Sequence, residues 1–124
     1  MNTYYQADGW SKFSEEDIYQ DGCQPKTAMH YGGNDRFKAK SINALIQTIL
    51  GFTGGEREDL DLNPCEEIGR LDISIFEDEY GTRATRSQID AWKAGELRLW
   101  SSIYSFKIEK TTTETIDLLE ELSA

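Results

Sequence analysis

The residues that could catalyse a reaction are few and form no familiar arrangement. Nucleophilic catalysis by serine or cysteine needs a base, most often histidine, and the chain has a single histidine, His30. Cys23 and Cys65 lie 42 positions apart, without the CxxC spacing of redox and zinc sites. The glycine-rich loops that cradle nucleotide phosphates are absent as well. We therefore expect no catalytic residue and no cofactor, and the chain is predicted not to be an enzyme.

One segment has the spacing that opens a calcium-binding loop. Asp59, Asp61 and Asn63 follow the D-x-D-x-N pattern. A calcium loop then needs glycine at its sixth position and glutamate at its twelfth. Those positions hold Pro64 and Arg70, and neither residue can take the required role. The sequence therefore predicts no metal site, although a small enzyme that uses carboxylates or a divalent ion stays open as an alternative.

Acidic side chains are concentrated in the middle of the chain. The formal net charge is −10, from 23 acidic and 13 basic residues. Residues 56–79 contain ten acids and only two arginines, so this segment of 24 residues contributes a net −8. Such crowding raises electrostatic self-repulsion, whereas solubility alone is better served by interspersed signs. The pattern favours a functional acidic surface over a merely solubilising one.

A negative surface of this kind is suited to a basic partner. Phosphate contacts need cations, so we expect neither direct nucleic-acid binding nor attachment to an anionic membrane. Carboxylates on a rigid domain could instead occupy the cationic groove of a nucleic-acid-binding protein. The centre of the predicted patch is Asp72 with the turn Glu77-Asp78-Glu79, and aromatic residues among the N-terminal acids could serve as hot spots. The predicted partner-binding residues are Glu66, Glu67, Asp72, Glu77, Asp78, Glu79, Trp10 and Tyr19.

The elements that must position these residues can be read from periodicity and capping signals. Ser41 precedes a helical stripe over Ile42–Leu50, and Leu71, Ile73 and Ile75 alternate with polar residues as in a half-buried strand. In the first half of the chain we also predict a helix over 15–20, a strand over 27–31, a glycine-rich turn over 32–35 and a long loop over 52–69. In the second half we predict a helix over 86–94 that buries Ile89 and Trp92, and a strand over 97–110. A last helix is predicted over 112–122, with Thr111 and Glu114 as its capping box.

This order of elements lacks a regular βαβ rhythm. It predicts a single α+β domain over residues 1–124, with a small antiparallel sheet of three to five strands and two or three main helices packed on it. No apolar stretch approaches the length of a membrane span, and the first residues have no signal-peptide character. We therefore expect a cytoplasmic protein, a monomer or homodimer, whose two cysteines are reduced thiols, with a single Cys23–Cys65 disulfide as the alternative.

In size, charge and lack of a catalytic motif, the chain resembles the small acidic proteins with which phages and mobile elements block host defence nucleases. Anti-CRISPR and antirestriction proteins are among them, and no single motif carries the likeness. The resemblance implies a stoichiometric inhibitor that binds the basic nucleic-acid-binding surface of a nuclease complex, by nucleic-acid mimicry in one form of the hypothesis. An immunity or antitoxin-type protein that caps a toxin nuclease is the alternative.

Overall fold

The fold is α+β, as the sequence predicts. The computed structural model describes residues 3–14 and 31–123. Within these residues one five-stranded antiparallel sheet, in the order β2-β1-β5-β4-β3, is combined with three α-helices. The strands are β1 (Tyr5–Ser14), β2 (Tyr31–Ala39), β3 (Leu60–Leu62), β4 (Arg70–Glu77) and β5 (Trp100–Lys110), and the helices are α1 (Ile42–Thr53), α2 (Arg86–Lys93) and α3 (Leu118–Ser123).

Helix α1 begins where the Ser41 cap predicts, but it continues to Thr53, three residues beyond the predicted end at Leu50, so that Gly51 lies inside the helix. The Ser41 hydroxyl accepts a hydrogen bond from the backbone N–H of Ala44 at 3.1 Å, and Gly54 closes the helix in a left-handed conformation. All five residues of the predicted stripe are buried: Ile42, Leu45, Ile46, Ile49 and Leu50. They pack on the face of the sheet that carries Ala7, Phe37, Leu71, Ile73, Ile75, Phe106 and Ile108, which forms the core.

The glycine-rich segment after Tyr31 is a strand, so the predicted turn over 32–35 is wrong. Strand β2 pairs with β1 in antiparallel register, and Gly33 lies opposite Trp10. A Cβ atom on Gly33 would lie 2.6 Å from the indole nitrogen of Trp10, so the glycine makes room for that ring. The predicted helix over 15–20, most of the predicted strand over 27–31, and the residues Tyr19, Cys23 and His30 lie outside the described residues.

The C-terminal helix starts later than its sequence signal indicates. The predicted capping box of Thr111 and Glu114 does not form, and α3 begins at Leu118. The Asp117 carboxylate accepts hydrogen bonds from the backbone of Leu119 and Glu120 at 3.1 and 3.3 Å, and from the Asn63 side chain at 2.8 Å. Asp117 therefore caps the start of α3, and Asn63, 54 positions away in sequence, binds the same carboxylate.

The segment before β4 is more structured than the predicted loop. It contains two short 3₁₀ helices, Arg57–Asp59 and Pro64–Glu66, on either side of β3. Cys65 in the second of these is disulfide-bonded, and the described residues include no free cysteine. The expectation of a reduced thiol at Cys65 is therefore wrong.

Candidate protein-binding surface

Asp72, the predicted centre of the acidic patch, is buried in an ion pair. Its side chain is 1% exposed, and its two oxygens accept hydrogen bonds from Arg70 Nε at 2.9 Å and Nη2 at 2.6 Å. Arg70 Nη1 donates to Glu67 at 3.0 Å. Burial lowers the pKa of Arg70, but its hydrogen bonds and charge interactions with Asp72 and Glu67 outweigh that effect and hold the pKa above its ordinary value. Asp72 thus offers no exposed carboxylate to a partner, and this corrects its assignment as the centre of a surface.

Strand alternation separates Asp72 from Glu77. Odd-numbered residues of β4 face the core under α1, and even-numbered residues lie on the opposite face of the sheet. Glu77 is therefore on the α1 side, where its carboxylate accepts a hydrogen bond from Lys12 Nζ at 3.1 Å. The two carboxylates do not share a surface, and each is neutralised by a cation of this chain.

The remaining predicted carboxylates lie at opposite ends of β4. Glu66 and Glu67 precede the strand, whereas Asp78 and Glu79 follow it. At about 3.3 Å per residue, a strand of eight residues separates the two groups by roughly 25 Å. Within the described residues, five of the ten acids between residues 56 and 79 form ion pairs: Glu56, Asp59, Glu67, Asp72 and Glu77. The structure therefore does not gather the acidic segment into one surface.

Trp10 faces the helical side of the sheet. Its indole nitrogen donates to Asp35 at 2.8 Å, and its ring packs on Phe52 and Tyr104 at centroid distances of 5.5 and 5.7 Å. The ring is partly buried against the core. Trp10 therefore covers part of the sheet. Tyr19, the other predicted aromatic, is outside the described residues.

The turn after β4 keeps two of the predicted acids at the surface. The Asp78 carboxylate accepts hydrogen bonds from the backbone of Tyr80 at 2.9 Å and Thr82 at 3.0 Å, and Asp78 N–H donates to the Thr82 carbonyl at 2.8 Å. These bonds hold a tight turn that presents Tyr80 with 84% of its surface exposed. Glu79, also exposed, forms no ion pair with any residue in the described parts of the chain.

Sheet register brings this turn beside the segment that enters β5. Glu77 and Trp100 are direct cross-strand neighbours in the β4–β5 pairing. The chain just after Glu77 and the chain just before Trp100 therefore border the same end of the sheet. They border a cavity of about 420 Å³. We call six of the residues that line this cavity the aromatic–acidic surface: Asp78, Glu79, Tyr80, Leu97, Arg98 and Trp100.

Three large apolar side chains of this surface are exposed. Leu97 is 40% and Trp100 is 44% exposed, in addition to Tyr80. The Arg98 guanidinium lies 5.2 Å from the centroid of the Trp100 ring, within the range of a cation–π contact. Two carboxylates against one guanidinium leave the surface with a net negative charge. Large aromatic residues within a charged rim are typical of protein-binding hot spots.

Sequence reasoning missed Tyr80, Leu97 and Trp100. Both Leu97 and Trp100 fall within the strand predicted over 97–110, but β5 begins only at Trp100, and the two side chains are 40% and 44% exposed. Trp92, predicted to be buried by α2, is 38% exposed and packs on Phe76 at a centroid distance of 4.8 Å. The one local signal was Tyr80 itself, a large aromatic residue placed in a turn of acids and glycine.

On the sheet face opposite α1, Asp61 of β3 lies directly across from Asp72. Burial raises the pKa of Asp61, the negative charge of Asp72 raises it further, and Arg70 partly offsets both. Across the described ranges 3–14 and 31–123, no three His, Cys, Asp or Glu side chains lie close enough together to hold a metal ion.

Helices in the described part of the chain are all too short or too polar to cross a membrane. Comparison with known proteins adds no assignment: no family model, no curated protein and no solved structure matches this chain.

Proposed function

We propose that this chain is a binding protein without catalytic activity of its own, which attaches to a basic protein through the aromatic–acidic surface. The observation that carries the proposal is the exposure of Tyr80, Leu97 and Trp100 around one cavity beside the carboxylates of Asp78 and Glu79. Burial of these solvent-exposed apolar groups against a partner would favour association. Tyr and Trp are also among the residue types most enriched in binding hot spots.

The net charge supports a basic partner. At −10 the chain attracts cationic proteins over distances comparable to the Debye length, which raises the rate of encounter. We propose a nucleic-acid-binding subunit of a nuclease complex as the partner, and stoichiometric inhibition of that complex as the outcome. An immunity-type protein that caps a toxin nuclease would use the same surface, so the identity of the captured nuclease distinguishes the two.

The structure favours anchoring by aromatic residues over mimicry of a phosphate row. Mimicry needs evenly spaced carboxylates on one face, but Asp72 and Glu77 lie on opposite faces of the sheet and are paired with Arg70 and Lys12. The proposed interaction therefore depends on a small apolar centre, with charge contributing mainly to the association rate.

The test compares two variants in one binding experiment. Immobilised wild-type chain, the double variant Tyr80→Ala/Trp100→Ala and the control Leu119→Ala are incubated with host lysate at low and high salt. Leu119 is a suitable control because it is 59% exposed but lies on α3, away from the cavity. We expect a partner that the wild type and the control retain and the double variant loses. Loss of two hot-spot side chains should weaken affinity at least tenfold, the equivalent of about 1.4 kcal/mol.

The captured protein is then purified and assayed as a nuclease. One equivalent of the wild-type chain should abolish its activity, and the double variant should not. Equal retention by all three forms would reject the surface. An active nuclease in the presence of excess bound chain would reject inhibition. Turnover of a substrate by the chain itself would favour the enzyme alternative.

A further inference from the structure

We infer that the cavity of the aromatic–acidic surface receives an arginine side chain of the partner. The inference rests on the proposed function and specifies the group that is recognised. A volume of about 420 Å³ lies near the lower end of ligand pockets, which range over about 300–1,000 Å³. A site of this size suits one anchoring side chain better than a long peptide segment.

The chemistry around the cavity is complementary to a cation on a long apolar stem. The Tyr80 and Trp100 rings offer π faces, Leu97 offers an aliphatic contact for methylene groups, and Glu79 offers a carboxylate that pairs with no cation in the described part of the chain. The Asp78 carboxylate lies at the same rim, although its Oδ1 atom also holds the turn. A cation is therefore stabilised by rings and charge together.

Arg98 already places a guanidinium against the Trp100 ring. Its guanidinium lies 5.2 Å from the Trp100 centroid, so this indole already packs against a planar cation within the chain. A guanidinium can stack on an aromatic face and at the same time donate two parallel hydrogen bonds to a carboxylate, whereas the ammonium group of lysine is a compact, strongly hydrated point charge. With Glu79 and the rings at one cavity, arginine can stack on a ring and donate two parallel hydrogen bonds to the carboxylate at once, whereas lysine lacks this planar, two-point geometry.

The test uses defined peptides and the intact ¹⁵N-labelled chain. The probes are acetyl-Gly-Arg-Gly-amide and two matched peptides with lysine or with citrulline, the uncharged isostere, in place of arginine. The three tryptophans give three indole N–H signals, and Trp100→Phe identifies one of them by its loss. We expect the arginine peptide to shift the Trp100 indole and the Glu79 and Tyr80 amides in a saturable way. The Trp10 indole, which is bound to Asp35, should stay in place.

Substitutions distinguish the contribution of the aromatic rings from that of the carboxylate. Tyr80→Ala should lower the affinity for the arginine peptide several-fold, and Glu79→Gln should lower it less. The control Glu120→Gln on α3 should leave the affinity unchanged. The inference is overturned if citrulline or lysine peptides bind as well as arginine, or if no saturable shift occurs. If the arginine peptide does not bind but capture of a protein partner still depends on Trp100, the inference of an arginine anchor is rejected and the proposed function stands. If the peptide binds but no partner is retained, the proposed function fails instead.

Discussion

Arg70 and Asp72 form a two-point ion pair beneath the surface of the sheet, with Nε–Oδ1 and Nη2–Oδ2 distances of 2.9 and 2.6 Å. Both side chains project from the face of β4 opposite α1, and both are at least 94% buried. A strand residue that sequence alternation places in solvent is thus one of the most enclosed groups of the protein. This pair accounts for the main difference between the acidic surface predicted from the sequence and the surface that the fold presents.

Breaking the ion pair from one side should destabilise the protein strongly. Asp72→Ala leaves the Arg70 guanidinium buried, with Glu67 as its one charged partner among the described residues, and we expect a loss of about 3–5 kcal/mol in the free energy of unfolding. The double variant Arg70→Met/Asp72→Leu removes both charges and should lose much less. Urea unfolding followed by circular dichroism measures both. Equal losses in the single and double variants would show that the site tolerates an unpaired guanidinium.

Glycine at position 51 should be replaceable with a gain in stability. Gly51 lies inside α1, its φ is not positive, and an added Cβ would meet no atom within 4 Å. Gly51→Ala should therefore raise the free energy of unfolding by about 0.5–1 kcal/mol, because alanine loses less backbone entropy on folding. Thermal and urea unfolding provide the measurement.

Gly69 is the matched control for that substitution. It has a φ of +86°, and an added Cβ would lie 3.0 Å from Thr115 Cγ2 and 3.2 Å from the Ile108 carbonyl oxygen. Gly69→Ala should destabilise the protein by more than about 1 kcal/mol, since alanine resists left-handed backbone. If both alanines change stability in the same direction, backbone conformation is not the deciding factor.

Ionisation of the Asp61 carboxyl group should destabilise the folded protein. Burial, and then the charge of Asp72, hold its folded-state pKa above the ordinary value of 3.8. The folded state therefore binds more protons than the unfolded state between those two values, and stability falls as pH rises through that window. Asp61→Asn should be more stable than wild type at neutral pH, and the difference should shrink as pH falls through the raised folded-state pKa and disappear below 3.8. Urea unfolding from about pH 7 down to about pH 3 tests this dependence.

Glu121 provides a control of opposite sign. Its hydrogen bond with Lys110, aided by one from Tyr5 and opposed by burial, lowers its pKa below the ordinary 4.5. This stabilisation is present above pH 4.5 and is lost as pH falls through the lowered pKa. Glu121→Gln should thus be less stable than wild type at neutral pH and approach it in acid. If the two variants share one pH dependence, these local environments do not control it.

Several features follow from the sequence by itself because they depend on neighbours along the chain. The Ser41 cap and the five-residue stripe of α1 are local, and so is the capping box of Thr85 and Gln88 at the start of α2. The alternation of Leu71, Ile73 and Ile75 located β4, and the mixture of elements indicated an α+β fold. The net charge of −10 is also a property of composition alone.

Tertiary structure decided which residues meet. Strand register places Glu77 beside Trp100 and Asp61 beside Asp72, and the packing of the chain before α3 places Asn63 against Asp117. These contacts join residues far apart in sequence, whereas periodicity and capping report only on neighbours within about one or two turns. Such contacts bury Asp72 with Arg70 and leave Tyr80 and Trp100 exposed. The sequence therefore reveals the acidic segment, whereas the aromatic–acidic surface is seen only in the fold.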